Sequence, residues 1–561
     1  MRIRSRLFLL ALAVGGLSPR GRAAPAEEPV VIAVAACDGY ADLKKQLRWV
    51  GTQVGNPTLD GFVESFIMMA TQFKGLAGLD VGRPAGIVVT TREGAPAVQG
   101  FVPVKDAGRL LESLQAVIGP VGEPKNGLRR VMLPSGVALE IAERDGWAVV
   151  APEGMTAAAG DPATVLATLV DRYSVGVRLF PARMPAWMRE QLKLAIRQMA
   201  ATAPANQPVD EASLTALVDG LSGCESLDYG LALDESRDCV ALETRLVATP
   251  GSAGARALAA GIETPLTVGS PGATADGRPA ARGHSCWKVT DAKAVLDMLA
   301  TSQPADGDPV ARTGLGLLRD LAEAMLETGT IDASATVDTA AADASRPIPD
   351  VTIGMRIKDG PALEAAVKRR LADKGGLPPE VAVAFDVGTV GTAKLHRITI
   401  DLPDTEEAGK FGDKVEATLA IAPGYAFLLL GGDVKRRLER ALAASGRPDA
   451  TAKPFADFEV SVAPLLAYAA RMMEAVAPGR PETDVVESAA QEAGARPALV
   501  RMQVRPIERG AAYELSVDAA AIRALAGLAA PRNPAAPQRQ APGPARSPAA
   551  RPRPTVPALA P

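Results

Sequence analysis

The apolar positions of this chain alternate between two spacings, and one passage from the first spacing to the second occurs twice. In the stretch 98–114 (VQGFVPVKDAGRLLESL), Val98, Val102 and Val104 keep an alternate-residue pattern, and Leu110 and Leu114 then follow a spacing of four. The stretch 351–367 (VTIGMRIKDGPALEAAV) repeats it with Val351, Met355, Ile357, Leu363 and Val367. A period of two marks a strand and one near 3.6 a helix, so each stretch predicts a strand entering a helix. The junctions are Lys105-Asp106 and Lys358-Asp359. Asp106 and Asp359 are placed as N-caps, since a short carboxylate accepts the free N–H groups of a first turn.

The same order of patterns extends on either side. The run 30–36 (VVIAVAA) predicts a buried strand, followed by a helix over 41–50. In 59–73, Phe62, Phe66, Met69 and Phe73 fall at helical spacing, which predicts a core-facing stripe. Strands are predicted over 131–133, 137–142 and 147–151, with Asp145-Gly146 as a hairpin turn, and a helix over 161–170. Strands over 395–402, 418–422 and 425–430 and a helix over 433–442 match them in order. A strand and helix over 174–200 likewise match 458–476, and a hairpin and helix over 227–258 match 499–525. Similar Asp-led helix starts recur at Asp161, Asp291 and Asp433.

These blocks predict an α+β fold of two tandem homologous units, 27–264 and 283–530, each a largely antiparallel sheet with helices packed on it. Gly, Pro, Ala and Thr fill 265–282, which reads as a linker, and 531–561 holds ten prolines and no periodic apolar face, which reads as a disordered tail.

Composition changes the picture at the two ends. Residues 1–26 hold five Arg and no acid, with an apolar run over 7–17 too short to span a bilayer, which is the form of a cleavable signal peptide. A periplasmic or secreted protein is therefore expected, with no transmembrane segment in the mature chain. Val34-Ala35-Ala36-Cys37 resembles a lipoprotein cleavage box, but Glu27 and Glu28 upstream favour a buried strand ending in Cys37. Without leader and tail, 51 basic residues face 64 acidic ones, a net of −13. That balance, with an aromatic content of 4%, excludes general nucleic-acid binding by the folded part. The five Arg of the tail leave an envelope protein or an anionic wall polymer as its partner.

Candidate chemistry is sparse. Only His284 and His396 occur, so paired-histidine metal signatures are absent, and no cofactor motif is found. Ser285-Cys286-Trp287-Lys288 fits S-x-x-K but reads as a strand, and 388–394 lacks phosphate-loop spacing and reads as a turn. Paired carboxylates such as Glu225/Asp228 and Asp234/Glu235 are plentiful, without evidence that two share a cleft. Four cysteines allow two bridges, of which Cys224–Cys239, flanking one strand, is the local choice. The pentapeptide VKRRL occurs at 367–371 and 434–438. Facing one side, Lys368, Arg369, Arg370, Lys435, Arg436 and Arg437 would form an anion patch.

The cleavable leader, the duplicated α+β unit and an excess of Ala, Arg, Pro and Gly resemble uncharacterised secreted proteins of planctomycete-type bacteria. The resemblance implies an exported envelope protein and assigns no functional residue. The resulting expectation is a non-catalytic binding or scaffolding protein, the alternative being an envelope hydrolase with an Asp/Glu pair drawn from distant positions.

Overall fold

A computed structural model describes residues 29–529 apart from short internal stretches, the longest being 203–214, 270–278, 297–308 and 403–412. Residues 1–26, read above as a signal peptide, residues 531–561, much of the stretch 265–282 read as a linker, and Asp291 lie outside the described residues. In chain order the first elements are β1 (Val30–Cys37), α1 (Tyr40–Gln53), α2 (Leu59–Ala70), β2 (Ala85–Arg92), β3 (Ala95–Pro103) and α3 (Ala107–Ile118). Next come β4 (Leu128–Met132), β5 (Ala138–Arg144), β6 (Trp147–Pro152), α4 (Pro162–Val170), β7 (Val175–Leu179), α5 (Ala186–Thr202), β8 (Cys224–Asp234), β9 (Cys239–Ala248) and α6 (Ala253–Gly261). The chain continues with β10 (Ala281–Lys288), α7 (Pro309–Leu326), β11 (Thr330–Asp338), β12 (Asp350–Arg356), α8 (Gly360–Ala372), β13 (Val381–Val390) and β14 (Ala393–Asp401). It closes with β15 (Lys414–Ala422), β16 (Tyr425–Leu430), α9 (Val434–Ala444), β17 (Ala456–Ser461), α10 (Val462–Val476), α11 (Pro481–Gly494), β18 (Leu499–Ile507), β19 (Gly510–Asp518) and α12 (Ala519–Ala529).

The fold is α+β, and among the described residues 19 strands form one antiparallel sheet. At its middle β9 pairs with β19, with Glu243 directly opposite Glu514. Outward from β9 the order is β8, β7, β1, β2, β3, β6, β5, β4. Outward from β19 it is β18, β17, β10, β11, β12, β16, β15, β14, β13. Described residues up to Leu528 belong to one compact unit, and β10 opens at Ala281, inside the segment read as a linker.

Both faces of the sheet are covered, and residue alternation decides by what. Phe101, Trp147 and Val149 pack with Leu166 and Leu169 of α4, whereas their neighbour Ala148 packs with Leu110 and Leu111 of α3. Beyond β19 the arrangement recurs: Ala420, Phe427 and Leu429 meet Leu438 and Ala441 of α9, while Leu419, Ile421 and Ala426 meet Leu363 and Val367 of α8. Successive strand residues point to opposite faces, so one strand serves two helix layers.

The expected helix starts divide. Asp106 accepts from the N–H of Arg109 at 2.9 Å, and Asp359 from that of Ala362 at 3.0 Å, in both cases the third helical residue. Asp161 accepts from Ala163 and Thr164. Asp433 does not cap: its φ of 48° turns the side chain away, and no side-chain bond closes the first turn of α9. The turn between β5 and β6 has Asp145 at φ 49° and Gly146 at φ 75°, the two left-handed residues of a type I′ hairpin.

Helix α2 corrects the reading of its apolar stripe. Phe62, Phe66 and Met69 are 73%, 61% and 67% exposed, and Phe73, just past the helix, is 79% exposed. Asp60 is the buried residue of α2, with Leu59, Val63 and Ile67 half-buried along the same helix and Glu64 exposed. Arg48 of α1 grips Asp60 through Nε at 3.0 Å and Nη2 at 2.7 Å, and Lys44 meets Glu64 at 2.6 Å. The two-bond Arg48 contact ties Asp60 to α1, and the aromatic rings lie on the solvent side of the helix.

Candidate functional site

The end of β1, the start of α1, the segment before β7 and the β8–β9 turn enclose a cleft of about 340 Å³ lined by Asp38, Asp42, Lys45, Gln46, Tyr173, Ser174, Asp234 and Glu235 among others. Strand pairing ends at Cys37, and the next N–H, of Asp38, donates to Ser174 O at 2.9 Å, which ties the two sides together. Gln46 Nε2 donates to Asp38 Oδ2 at 2.9 Å. Burial pushes the Asp38 carboxyl above the usual carboxylate range, the Gln46 bond opposes this, and the nearby Asp42 charge adds to it. Asp234 goes the other way. Burial works to raise it, but the hydroxyl and N–H of Ser236 and the N–H of Arg237 outweigh that and hold it low. Glu235, beside it, is paired with Lys45 at 2.8 Å. Two carboxyls of one cleft thus have environments that push their proton affinities apart, a pattern compatible with acid–base work.

Behind the cleft, Tyr173 lies against the paired glycines Gly176 and Gly230, where a Cβ on Gly230 would come within 2.2 Å of its ring. Its hydroxyl donates to Glu243 Oε2 at 3.0 Å, and burial followed by the Glu243 charge raises its pKa. Like charges opposite one another on paired strands repel. Glu243 and Glu514 are reconciled by Arg505, whose Nη2 donates to both, at 2.9 and 3.2 Å, and by Arg237, which reaches Glu514 at 3.1 Å. This network stitches the middle of the sheet and leaves no carboxylate of the pair without a cation.

A second cluster lies at the outer end of the sheet. Three residues of β13, Phe385, Asp386 and Val387, bulge opposite the single His396 of β14, with Asp386 at φ 55°. Glu364, Asp386 and His396 offer ligand atoms within 4.8 Å of one another. Lysines occupy the space a cation would take: Lys368 meets Glu364 at 2.6 Å and Asp386 at 2.7 Å, and Lys394 meets Glu364 at 3.0 Å. The N–H of Asp386 donates to His396 Nδ1 at 3.2 Å, so the neutral ring carries its proton on Nε2, 4.0 Å from Glu364. Burial lowers the His396 pKa and keeps the ring neutral. In this tautomer Nε2 has no lone pair for a metal. The sequence contained no motif for the cluster; its one signal was a lone histidine beside a break in strand alternation.

Comparison with family models, curated proteins and solved structures found no match to this chain.

The residues singled out from the sequence are not brought together. Cys224 pairs across the hairpin with Ala248 and Cys239 with Asp234, so the two cysteines lie at opposite ends of β8–β9, about 30 Å apart at the strand rise. A bridge needs Cα atoms within about 7 Å, and all four cysteines are free. Burial raises each thiol, that of Cys286 to about 12, which leaves no thiolate nucleophile among them at neutral pH. The anion patch is likewise not formed, because α8 and α9 cover opposite faces of the sheet. Within it, Lys368 is paired with Glu364 and Asp386, and Arg370 with Asp320 at 2.6 Å. Arg437 donates inward to the carbonyls of Leu430, Gly432 and Val351, while Arg369, Lys435 and Arg436 stay exposed. Ser285 and Lys288 are on β10, where a spacing of three puts them on opposite faces and removes the S-x-x-K geometry.

Proposed function

We propose that this chain is an exported, non-catalytic binding and scaffolding protein of the bacterial envelope, made of two copies of one α+β unit joined edge to edge. The strand order supports the duplication: outward from β9 and from β19 the strands follow one another in matching sequence, with β13 as one extra edge strand, although the helices between them differ in number. The observation that carries the binding reading is the outward stripe of Phe62, Phe66, Met69 and Phe73. Asp60 on the same helix pairs with Arg48, and the charged groups at the middle of the sheet and around His396 are engaged with one another. An adhesive surface is free and most of the candidate chemistry is not. An environment-sensitive dye such as anilinonaphthalene sulfonate tests this on the full chain. Its fluorescence should rise on the wild type and fall back in Phe62→Ser/Phe66→Ser with the circular dichroism unchanged; equal fluorescence from both proteins would remove the reading.

The hydrolase reading retains one specific support, the raised Asp38 and lowered Asp234 in one cleft. Turnover of a wall glycan or peptide that disappears in Asp38→Asn would replace the binding reading. Turnover unchanged by that substitution would take the cleft out of consideration.

A further inference from the structure

We infer that edge strand β13 carries an acid-released latch: when His396 gains a proton, the bulge Phe385–Val387 lets go of β14. The bulge interrupts an otherwise regular ladder, with Ala384 opposite Arg397 on one side of it and Gly388 opposite Leu395 on the other. Inside it, the N–H of Asp386 donates to a side chain, His396 Nδ1 at 3.2 Å, and not to a strand carbonyl. Asp386 is left-handed at φ 55°, a conformation that a non-glycine residue keeps only where its surroundings impose it.

A proton inverts that contact. An imidazolium donates from both nitrogens, so a new N–H at Nδ1 would face the N–H of Asp386 and the bond is lost. The new charge is also poorly placed. His396 is 1% exposed, its Nε2 has no hydrogen-bond partner among the described residues, and Glu364 Oε1 stands 4.0 Å away. Opening the bulge gives the cation water, so protonation and opening favour one another.

The charged groups that face the ring are Glu364 and Lys368 from α8, Asp386 from β13 and Lys394 from β14, while β15 sets the uncharged Leu419 opposite it. The Lys368 bond holds Asp386 below its ordinary range. Burial works to raise Glu364, but the bonds from Lys368 and Lys394 outweigh it and hold it low. Both carboxylates therefore stay ionised where the histidine titrates. Burial lowers the His396 pKa more than Glu364 and Asp386 raise it. The closed bulge is thus fully favoured above the ordinary 6.5 and loses that advantage as pH falls to the lower, folded value.

Little else secures the bulge. The Phe385 ring meets His396 edge-on at 5.7 Å, and the Lys368–Asp386 pair has a half-exposed carboxylate, where ion pairs contribute little. The opposite edge strand of the sheet, β4, is built differently. The chain before it covers its outer side, with Val121 bridged to Val131 and the Gly122 N–H donating to Arg130 O at 2.9 Å. Among the described residues, β14 is the one strand paired with β13, so release opens the backbone groups of 385–387 at a sheet edge.

Hydrogen exchange of the full chain, followed by mass spectrometry from about pH 8 to about pH 5 and corrected for the intrinsic rate, tests the latch. Protection over 381–390 should fall about tenfold per pH unit from 6.5 down to the folded pKa, while protection over 425–430 in β16 stays level. His396→Asn offers Oδ1 as the acceptor in place of Nδ1 and takes up no proton. It should keep the protection seen at high pH and lose the fall; the same fall in this variant would overturn the inference. Imidazole nitrogen NMR of the wild type, which has two histidines, decides the matter even where the variant does not fold. His396 should be the Nε2–H tautomer near pH 8 and become imidazolium over the range in which 381–390 loses protection. An imidazolium under a bulge that stays protected, or a bulge that opens while His396 stays neutral, would each sink the latch.

Discussion

Helices α2 and α9 follow the same amphipathic rule and face opposite ways. In α9, Leu438 and Ala441 are fully buried against Phe427 and Leu429, and Lys435, Arg436, Glu439 and Arg440 face water. In α2, Asp60 is buried beneath Arg48 while Phe62 and Phe66 face water. The periodicity of a helix shows that it has two faces. Which residues turn inward depends on the surface they meet: a sheet offering apolar side chains takes Leu438 and Ala441 of α9, and α1, offering Arg48, takes Asp60 of α2.

The contrast can be broken most severely at α9. Leu438→Ala removes a side chain with no solvent exposure and should cost about 2–5 kcal/mol in denaturant unfolding. Next is Arg437→Met, which withdraws donors from the carbonyls of Leu430, Gly432 and Val351 and should cost about 1–3 kcal/mol by the same measurement. It tests whether that arginine, rather than Asp433, secures the start of α9.

Acid should separate the two helices. The Arg48 hydrogen bonds hold the Asp60 carboxyl below its ordinary 3.8, so its contribution is present above that value and is lost as pH falls through the lower, folded one. Amide exchange in α2 should accelerate over that window while exchange in α9, held by apolar contacts, changes less. Equal acceleration in both would show that the ion pairs do not hold α2. The smallest effect belongs to Phe62→Ala and Phe66→Ala, each expected within about 0.5 kcal/mol of wild-type stability. A loss like that of Leu438→Ala would mean the rings are core.

Much of the fold was legible in the sequence. The strand-to-helix passages at Asp106 and Asp359, the Asp145-Gly146 hairpin and the α9 helix all rest on local chemistry, since caps, left-handed turn residues and spacing act within a few positions. What was not legible depends on distant partners. The α2 stripe looked like core because its periodicity says nothing of Arg48 and Lys44 on the preceding helix. The two VKRRL helices looked like one patch because their shared sequence does not reveal that they rest on alternate residues of β15 and β16. Cys224 and Cys239 looked adjacent because the strand between them hides its own length. Of the cleft, Asp234 and Glu235 were visible as a pair, but Asp38 joins them only through the β1–β7 pairing.

The measurement that bears most directly on the account is hydroxyl-radical footprinting of the full chain, kept dilute enough to be monomeric and read by mass spectrometry. Phe62, Phe66, Met69 and Phe73 should label at rates close to those of free side chains, with Phe101 and Phe427 protected. Protection of the four stripe residues to the level of Phe427 would contradict it.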